Sequence, residues 1–391
     1  MPNPKILIVD DEPFNVDYLE QELEDSNCET VSAVNGREAL DKVQAESPDL
    51  ILLDIMMPVM DGFEVLRHLK ADAAVRDIPV IVISANNDLQ SVVKGIQLGA
   101  EDYLPKPFEP TLLQARISSS LEKKRLRDVE RLYLKSLERE LDIGHRIQQG
   151  FLPSELPRVK GWEIAAYFQA AREVAGDFYD AFLLPDGNLL GVVGDVCDKG
   201  VGAALFMTLF RSLIRVTATT NVLRAAGETN AWTHAERLGH VVSFTNNYIA
   251  ETHCEANMFA TLFVGIFDLQ AGTLTYANCG NEHPLLLRDG KVAATLPPTG
   301  PVVGLFSDAR FAIKEIPIER DDLLVAFTDG IPDSKNADNE FFGTQRLIEA
   351  LDGADLSAAA LVEKVEDQLH RFIGEAKQFD DITLLAVKKC D

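Results

Sequence analysis

The sequence predicts a five-stranded, doubly wound parallel α/β domain, then a helical connector, then an α+β domain whose antiparallel β-sandwich is flanked by helices. Three observations lead there. At 391 residues the chain is too long for one ordinary core. Its first 120 residues alternate near-continuous Ile/Leu/Val runs with helical periods, whereas strand runs dominate after Pro153 and Pro157. Between the two, from 112 to about 149, runs a proline-free stretch rich in charges of both signs.

In the first part, strand runs at 5–9, 50–53 and 79–83 alternate with helical periods at about 14–25, 36–45, 62–71 and 88–98, with weaker strands near 29–33 and 101–104. Apolar strands with short connections argue for a parallel sheet covered on both faces, which places a site at the strands' carboxyl ends. The residues at those ends are Asp10, Asp11 and Glu12, then Asp54, Ser84 and Lys106. Carboxylates converging without a cation would repel, so a bound Mg²⁺ is the natural way to keep them ionised. That ion and Lys106 would neutralise a phosphoryl group on Asp54, and the Ser84 hydroxyl could donate to its oxygens. By itself, Asp-Asp-Glu before Pro13 is also a plain helix start. Asp54 and Lys106 in register with it argue for the site.

These residues resemble the receiver domain of bacterial two-component response regulators. The resemblance spans about 4–120 and rests on Asp10-Asp11, Asp54 with Met57-Pro58 and Asp61-Gly62, Ser84-Ala85 and Lys106-Pro107. It implies that Asp54 accepts phosphate from a sensor histidine kinase, that Asp11, Asp54 and the Met56 carbonyl bind Mg²⁺ with help from Asp10, and that Ser84 and Tyr103 form the switch pair. It also implies a cis peptide between Lys106 and Pro107.

In the connector, Leu126, Val129, Tyr133, Leu137 and Leu141 are spaced close to a coiled-coil seam, with a stutter against a strict heptad. A homodimer through this helix is expected; the alternative is a helix that packs on its own domain. The basic cluster Lys123, Lys124, Arg125 and Arg127 is flanked by Glu122, Asp128 and Glu130, which reads as a solvated helix face. The expected division is 1–120, a linker at 121–150, and 151–391.

Beyond the connector, strand runs fall at about 162–169, 188–194, 259–268, 273–279, 283–288, 322–328 and 382–388, with helical periods near 200–217, 235–250, 344–351 and 357–374. Asp186-Gly187 and Asp289-Gly290 sit between strand runs and read as hairpin turns. Aspartate again ends apolar runs, at Asp195 and at Asp329. Asp329-Gly330 alone would also be a turn. It recurs, however, with three other acidic signatures: Gly176-Asp177-Phe178-Tyr179-Asp180, Gly194-Asp195-Val196 and Asp380-Asp381-Ile382-Thr383.

Their order resembles the type 2C metal-dependent protein serine/threonine phosphatases, in the bacterial branch that controls sporulation and stress sigma factors. The resemblance covers about 145–389 and includes Ile147-Gln148 to Leu152-Pro153, Ala171-Arg172-Glu173-Val174, Lys199-Gly200, Ala203-Ala204-Leu205 and Met258-Phe259-Ala260-Thr261. Departures are Ala175 for a second glycine, Cys197-Asp198 for Ser-Gly, and Asn281-Glu282-His283 for Gly-His-Asn. The family mechanism uses two divalent ions, Mn²⁺ or Mg²⁺, with a bridging water as nucleophile. Carried over, Asp195 bridges the ions, the Val196 carbonyl joins it, and Asp177, Asp329 and Asp380 complete the shells. Asp381 stands as an alternative ligand to Asp380, and Asp180 as a hydrogen-bonding supporter.

Together these resemblances imply a cytoplasmic response regulator whose output is dephosphorylation of a protein, an anti-sigma factor antagonist, with Asp54 phosphorylation activating it. The rival is a phosphatase-fold adaptor without turnover. A net charge of −25 opposes binding to nucleic acid or anionic membranes. The five cysteines are scattered and odd in number, which argues against a disulfide framework or thiolate zinc. No run is expected to be apolar enough to span a membrane.

Overall fold

The structure, a computed structural model, describes residues 3–24, 26–85, 89–220, 232–352 and 356–390. Residues 25 and 88, at the edges of two expected helices, lie outside the described residues. The chain divides into two units, Met1–Glu138 and Arg139–Asp391.

The first unit runs β1 (Lys5–Val9), α1 (Pro13–Glu24), β2 (Glu29–Ala33), α2 (Gly36–Glu46), β3 (Leu50–Asp54), α3 (Gly62–Ala71), β4 (Val80–Ala85), α4 (Leu89–Gln97), β5 (Asp102–Lys106) and then α5 (Pro110–Gln149), within which the chain passes into the second unit. Its five strands are all parallel, in the order β2-β1-β3-β4-β5. Strands such as Leu50–Asp54 are buried on both faces. One face packs on α2 and α3 through residues such as Ala39, Val43, Val65 and Leu66, and the other on α1 and α5 through Val16, Leu19, Leu113 and Ile117. This is the doubly wound sheet expected.

In the same unit the basic cluster on α5 is exposed at Lys123, Arg125 and Arg127, and basic residues of this helix also pair with acids of the unit. Lys124 Nζ lies 2.9 Å from Asp49, Arg127 reaches Glu101 at 2.6 Å, and Arg131 reaches Asp77 at 3.4 Å. Local charge balance suggested solvation, but the partners lie far off in sequence. Leu126, Val129, Tyr133 and Leu137 are exposed.

The second unit continues with β6 (Trp162–Gln169), β7 (Asp177–Leu183), β8 (Leu189–Val196), α6 (Val201–Thr219), α7 (His234–Thr252), β9 (Ala260–Asp268), β10 (Thr273–Cys279), β11 (Leu285–Arg288), β12 (Lys291–Thr295), β13 (Lys314–Pro317), β14 (Leu323–Phe327), α8 (Gly343–Leu351), α9 (Ala358–Ile373) and β15 (Ile382–Lys389). Two five-stranded antiparallel sheets form, β13-β10-β9-β8-β7 and β12-β11-β14-β15-β6. Between them lies a core that includes Trp162, Val193, Phe263, Phe267, Leu324 and Leu385. Helices α6 and α7 cover the outer face of the first sheet, and α8 and α9 that of the second. The result is a helix–sheet–sheet–helix sandwich.

Both expected hairpin turns are present. Gly187 (φ 86) lies between β7 and β8, while Asp289 (φ 51) and Gly290 (φ 70) join β11 to β12, a left-handed pair suited to a tight hairpin. One expectation needs correcting. Helix α6 is, by length and composition, apolar enough to cross a membrane. Its buried residues Ala203, Met207, Phe210 and Ile214 pack on the sheet core, the behaviour of a core helix.

Candidate phosphoacceptor and metal sites

In the first unit, β1, β3 and β5 deliver Asp10, Asp54 and Lys106 to one end of the sheet. Lys106 Nζ donates to Asp10 Oδ2 and Asp54 Oδ2, both at 2.8 Å. Carboxylate oxygens of Asp10, Asp11 and Asp54 lie within 4.8 Å of one another. Oxygen donors at that spacing fit a hard divalent cation. Burial pushes the Asp54 carboxyl up, against the opposing Lys106 ammonium, and the Asp10 charge adds to the rise. For Lys106, burial alone would lower its pKa; hydrogen bonds to Asp10 and Asp54 outweigh it and hold the ammonium above its ordinary value.

Neighbouring residues fix this geometry. Asn15 Nδ2 donates to both Asp10 oxygens, at 3.0 and 3.1 Å, and the Glu12 N–H donates to Oδ1 at 3.0 Å. Asn15 was not singled out from the sequence, although its place in the first turn after Asp-Asp-Glu-Pro is a usable signal. The Met56 N–H donates to Asp54 Oδ1 at 3.4 Å. Gly62 opens α3 so close to the Asp54 strand that a Cβ there would lie 2.2 Å from the Asp54 carbonyl oxygen. Ser84 is buried at the end of β4, one residue beyond the Asp54–Ile83 pair, and Tyr103 is half-buried on β5 opposite Val82. The peptide between Lys106 and Pro107 is cis.

In the second unit, antiparallel pairing puts Asp177 opposite Asp195. On the facing sheet, Asp329 follows β14 and Asp380 precedes β15, at the same end of that strand pair, where the Thr328 N–H donates to Thr383 O at 3.1 Å. The two sheets are tied across this point by Asp177. Its Oδ2 accepts from Thr328 Oγ1 at 2.7 Å and from Thr383 Oγ1 at 2.6 Å. Thr383 belongs to the Asp380–Thr383 signature and Thr328 directly precedes Asp329, but a local pattern carries no information about a contact between sheets.

The adjacent acids Asp380 and Asp381 are engaged differently. Both Asp381 oxygens accept backbone N–H groups, from Ala171 at 2.7 Å and Gly176 at 2.8 Å. Asp380 is partly exposed, with Oδ2 2.7 Å from Lys199 Nζ. Gly330 is there because Asp381 passes so close: a Cβ would lie 1.7 Å from the Asp381 carbonyl oxygen. Likewise a Cβ on Gly176 would lie 2.9 Å from the Val196 carbonyl oxygen.

Electrostatics at this site are those of acids crowded together, with Lys199 beside Asp380 as a cationic neighbour. Burial drives the Asp177 carboxyl well above its usual range, reinforced by the charges of Asp195 and Asp381 and opposed by the two threonine hydroxyls. Asp195 is pushed up to about 7, by burial and then by the Asp329 charge. Asp329 is pushed up to about 6, by burial and then by Asp380, Asp333 and Glu282. This donor set fits oxygen-loving divalent ions. Among the described residues only the receiver triad closes within 4.8 Å; the acids of the second unit are spread more widely.

Asp180 has other neighbours. It lies an odd number of residues from Asp177 on β7, so its side chain faces α6 instead of the facing sheet. There it is buried against Arg211 (2.8 Å) and Arg215 (2.9 Å). These pairs tie α6 to the sheet. A cavity of about 360 Å³ between α8, α9 and the β11–β12 hairpin has none of the site acids among its lining residues.

The comparison with protein families decides the relationship. The family described as Stage II sporulation protein E (SpoIIE) matches residues 185–389, over half of the 391-residue chain. The chain belongs to the SpoIIE family. The match begins after Asp177, whose place in the site therefore rests on the geometry. This SpoIIE-family chain also carries a response regulator receiver domain, matched over residues 6–118. Protein IcfG of Synechocystis sp. is 42% identical over 260 residues, which is 63% of this chain and 41% of IcfG. The alkaline phosphatase synthesis transcriptional regulatory protein PhoP of Bacillus subtilis is 41% identical over 119 residues, which is 30% of this chain and 49% of PhoP. The chain thus spans less than half the length of either relative. In fold, the second unit is similar to the SiaA-PP2C domain of Pseudomonas aeruginosa, with a TM-score of 0.53 at 23% identity over 66% of this chain and 98% of that domain. The SpoIIE-family protein therefore joins a receiver to a domain with the PP2C phosphatase fold.

Proposed function

We propose that this response regulator removes phosphate from phosphoserine or phosphothreonine on an anti-sigma factor antagonist, and that phosphorylation of Asp54 by a sensor histidine kinase turns the activity on. The observation that carries this reading is the meeting of Asp177 and Asp195 from one sheet with Asp329 and Asp380 at the strand ends of the other. Those four acids and the Val196 carbonyl would hold two Mn²⁺ or Mg²⁺ ions. Bound there, the ions would offset the carboxylate and phosphate charges and make water a better nucleophile.

The chain's own residues do the placing. The Thr328 and Thr383 hydroxyls hold Asp177 by one oxygen. Asp381 spends both oxygens on the 171–176 loop, so Asp380 is the proposed ligand of the pair. In the receiver, Asp10, Asp11 and Asp54 with the Met56 carbonyl would hold Mg²⁺, while Lys106 holds a phosphoryl oxygen on Asp54 and Ser84 and Tyr103 respond to it. We place the receiver at 1–120, the linker at 121–150 and the phosphatase at 151–391. A homodimer in the cytoplasm, joined along the exposed Leu126, Val129, Tyr133 and Leu137 stripe, completes the reading.

The test is Mn²⁺-dependent release of phosphate from a phosphorylated antagonist protein by the full chain. Wild type should turn over and Asp329→Asn should lose at least about 100-fold, in line with losing one metal ligand. Equal rates, with and without receiver phosphorylation, would favour the adaptor reading instead.

A further inference from the structure

Helix α5 ends against the loop that leads into the acidic site. Its penultimate residue, Gln148, is buried and pairs with one residue of that loop through both ends of its amide. Gln148 Nε2 donates to the Ala175 carbonyl at 2.6 Å, and the Ala175 N–H donates to Gln148 Oε1 at 3.0 Å. One turn earlier on the same helical face, Gly144 lies beside Val174, where a Cβ would make ordinary contact at 3.9 Å from Val174 Cγ1.

Ala175 is followed directly by the two residues that matter most. The Gly176 N–H donates to Asp381 Oδ2 at 2.8 Å, and its carbonyl accepts from the Val196 N–H at 3.4 Å. Asp177 comes next. The loop is therefore held at both ends by Asp381, through Ala171 and Gly176, and at Ala175, beside the second of these, by Gln148. A residue gripped at both its N–H and its C=O cannot shift along the chain without breaking a buried hydrogen bond. Any turn or slide of the end of α5 must then move Ala175 with it or release it.

We propose that Gln148 is a positioning residue for the acidic site, and that through it the state of α5 sets the placement of Gly176 and Asp177. The inference rests on the phosphatase reading for its consequence but on hydrogen bonds alone for its geometry. Gln148 touches no reacting group; it acts through the loop.

The test uses the full chain with Gln148→Met, which keeps most of the side-chain volume and removes both hydrogen bonds, and Gln148→Glu, which keeps the acceptor. Amide hydrogen exchange is followed over 171–177 in metal-free protein, and Mn²⁺ binding is measured by calorimetry. In Gln148→Met, exchange at Ala175 and Gly176 should rise at least about 10-fold while strands such as β9 keep wild-type protection, and Mn²⁺ affinity should fall several-fold. Gln148→Glu should lie between wild type and Met at both readouts. Beryllofluoride with Mg²⁺, a phosphate mimic for Asp54, should change exchange over 171–177 in wild type and not in Gln148→Met.

Unchanged exchange and Mn²⁺ affinity in Gln148→Met would overturn the proposal, as would an equal response to beryllofluoride in the two proteins. A rise in exchange spread evenly over the unit would also overturn it, since that signals general loss of stability. None of these readouts needs turnover, so an inactive wild type would refute the phosphatase reading while leaving the role of Gln148 standing or falling by itself.

Discussion

Replacing Thr383 by valine removes one hydroxyl at the centre of the second unit and little else. Thr383 is fully buried, and its Oγ1 donates to Asp177 Oδ2 at 2.6 Å while its backbone N–H donates to Thr328 Oγ1 at 3.1 Å. Valine keeps the shape and the backbone bond. Without metal, burial and the charges of neighbouring acids raise the Asp177 carboxyl well above its ordinary range, which favours a neutral acceptor for the lost bond. Such a bond contributes about 0.5–1.5 kcal/mol to stability. With metal bound, Asp177 must be ionised, and the same hydroxyl then donates to a charged group, which is worth about 1.5–3 kcal/mol. The difference, about 1 kcal/mol, falls on metal binding and corresponds to roughly five-fold weaker affinity. Urea unfolding of the metal-free protein should therefore show a loss of about 1 kcal/mol, and calorimetry a Mn²⁺ dissociation constant raised about five-fold. Wild-type Mn²⁺ affinity together with the expected loss of apo stability would refute the reasoning, because the hydroxyl would then have no preference for the ionised carboxylate.

Lys106→Met removes the ammonium shared by Asp10 and Asp54, and the metal-free receiver should lose about 3–5 kcal/mol, read by chemical denaturation and partly restored by Mg²⁺. Asp195, raised from 3.8 to about 7, keeps a proton in the folded state that the unfolded chain has released, so this group's contribution to metal-free stability is present below about pH 4 and lost as pH rises to about 7. Asp195→Asn should flatten that part of the profile in urea titrations with chelator, and a slope equal to wild type would refute it. Asp180→Asn leaves Arg211 and Arg215 without their charge partner, and should lower thermal stability while leaving Mn²⁺ affinity within about two-fold.

What could be read from the chain divides along the range of the interaction. Parallel strands such as Leu50–Asp54 announce themselves because both faces are buried and Leu50–Leu53 is apolar throughout. The acids at strand ends stand out because charge interrupts such runs. Strand β7 escaped notice because Asp177–Leu183 carries two aspartates buried for different reasons, one facing a sheet and one a helix. β12 and β13 are short and largely exposed, so neither shows a buried period. Lys124 with Asp49, Thr383 with Asp177, and Gln148 with Ala175 are pairs made by topology, and no window along the sequence contains both members.

The position of β15 sets a timetable. It lies between β14 and β6 and, among the described residues, is the one strand paired with β6 in that sheet, yet it is synthesised roughly two hundred residues later than β6. It also brings Thr383 to Asp177 and follows Asp381, which fastens the loop next to Asp177. A nascent chain has every strand of its receiver sheet once Lys106 has emerged, but its acidic centre waits for the final strand to slide between two others. On the function proposed above, a newborn molecule in that interval would have its phosphoacceptor site but not yet its output site.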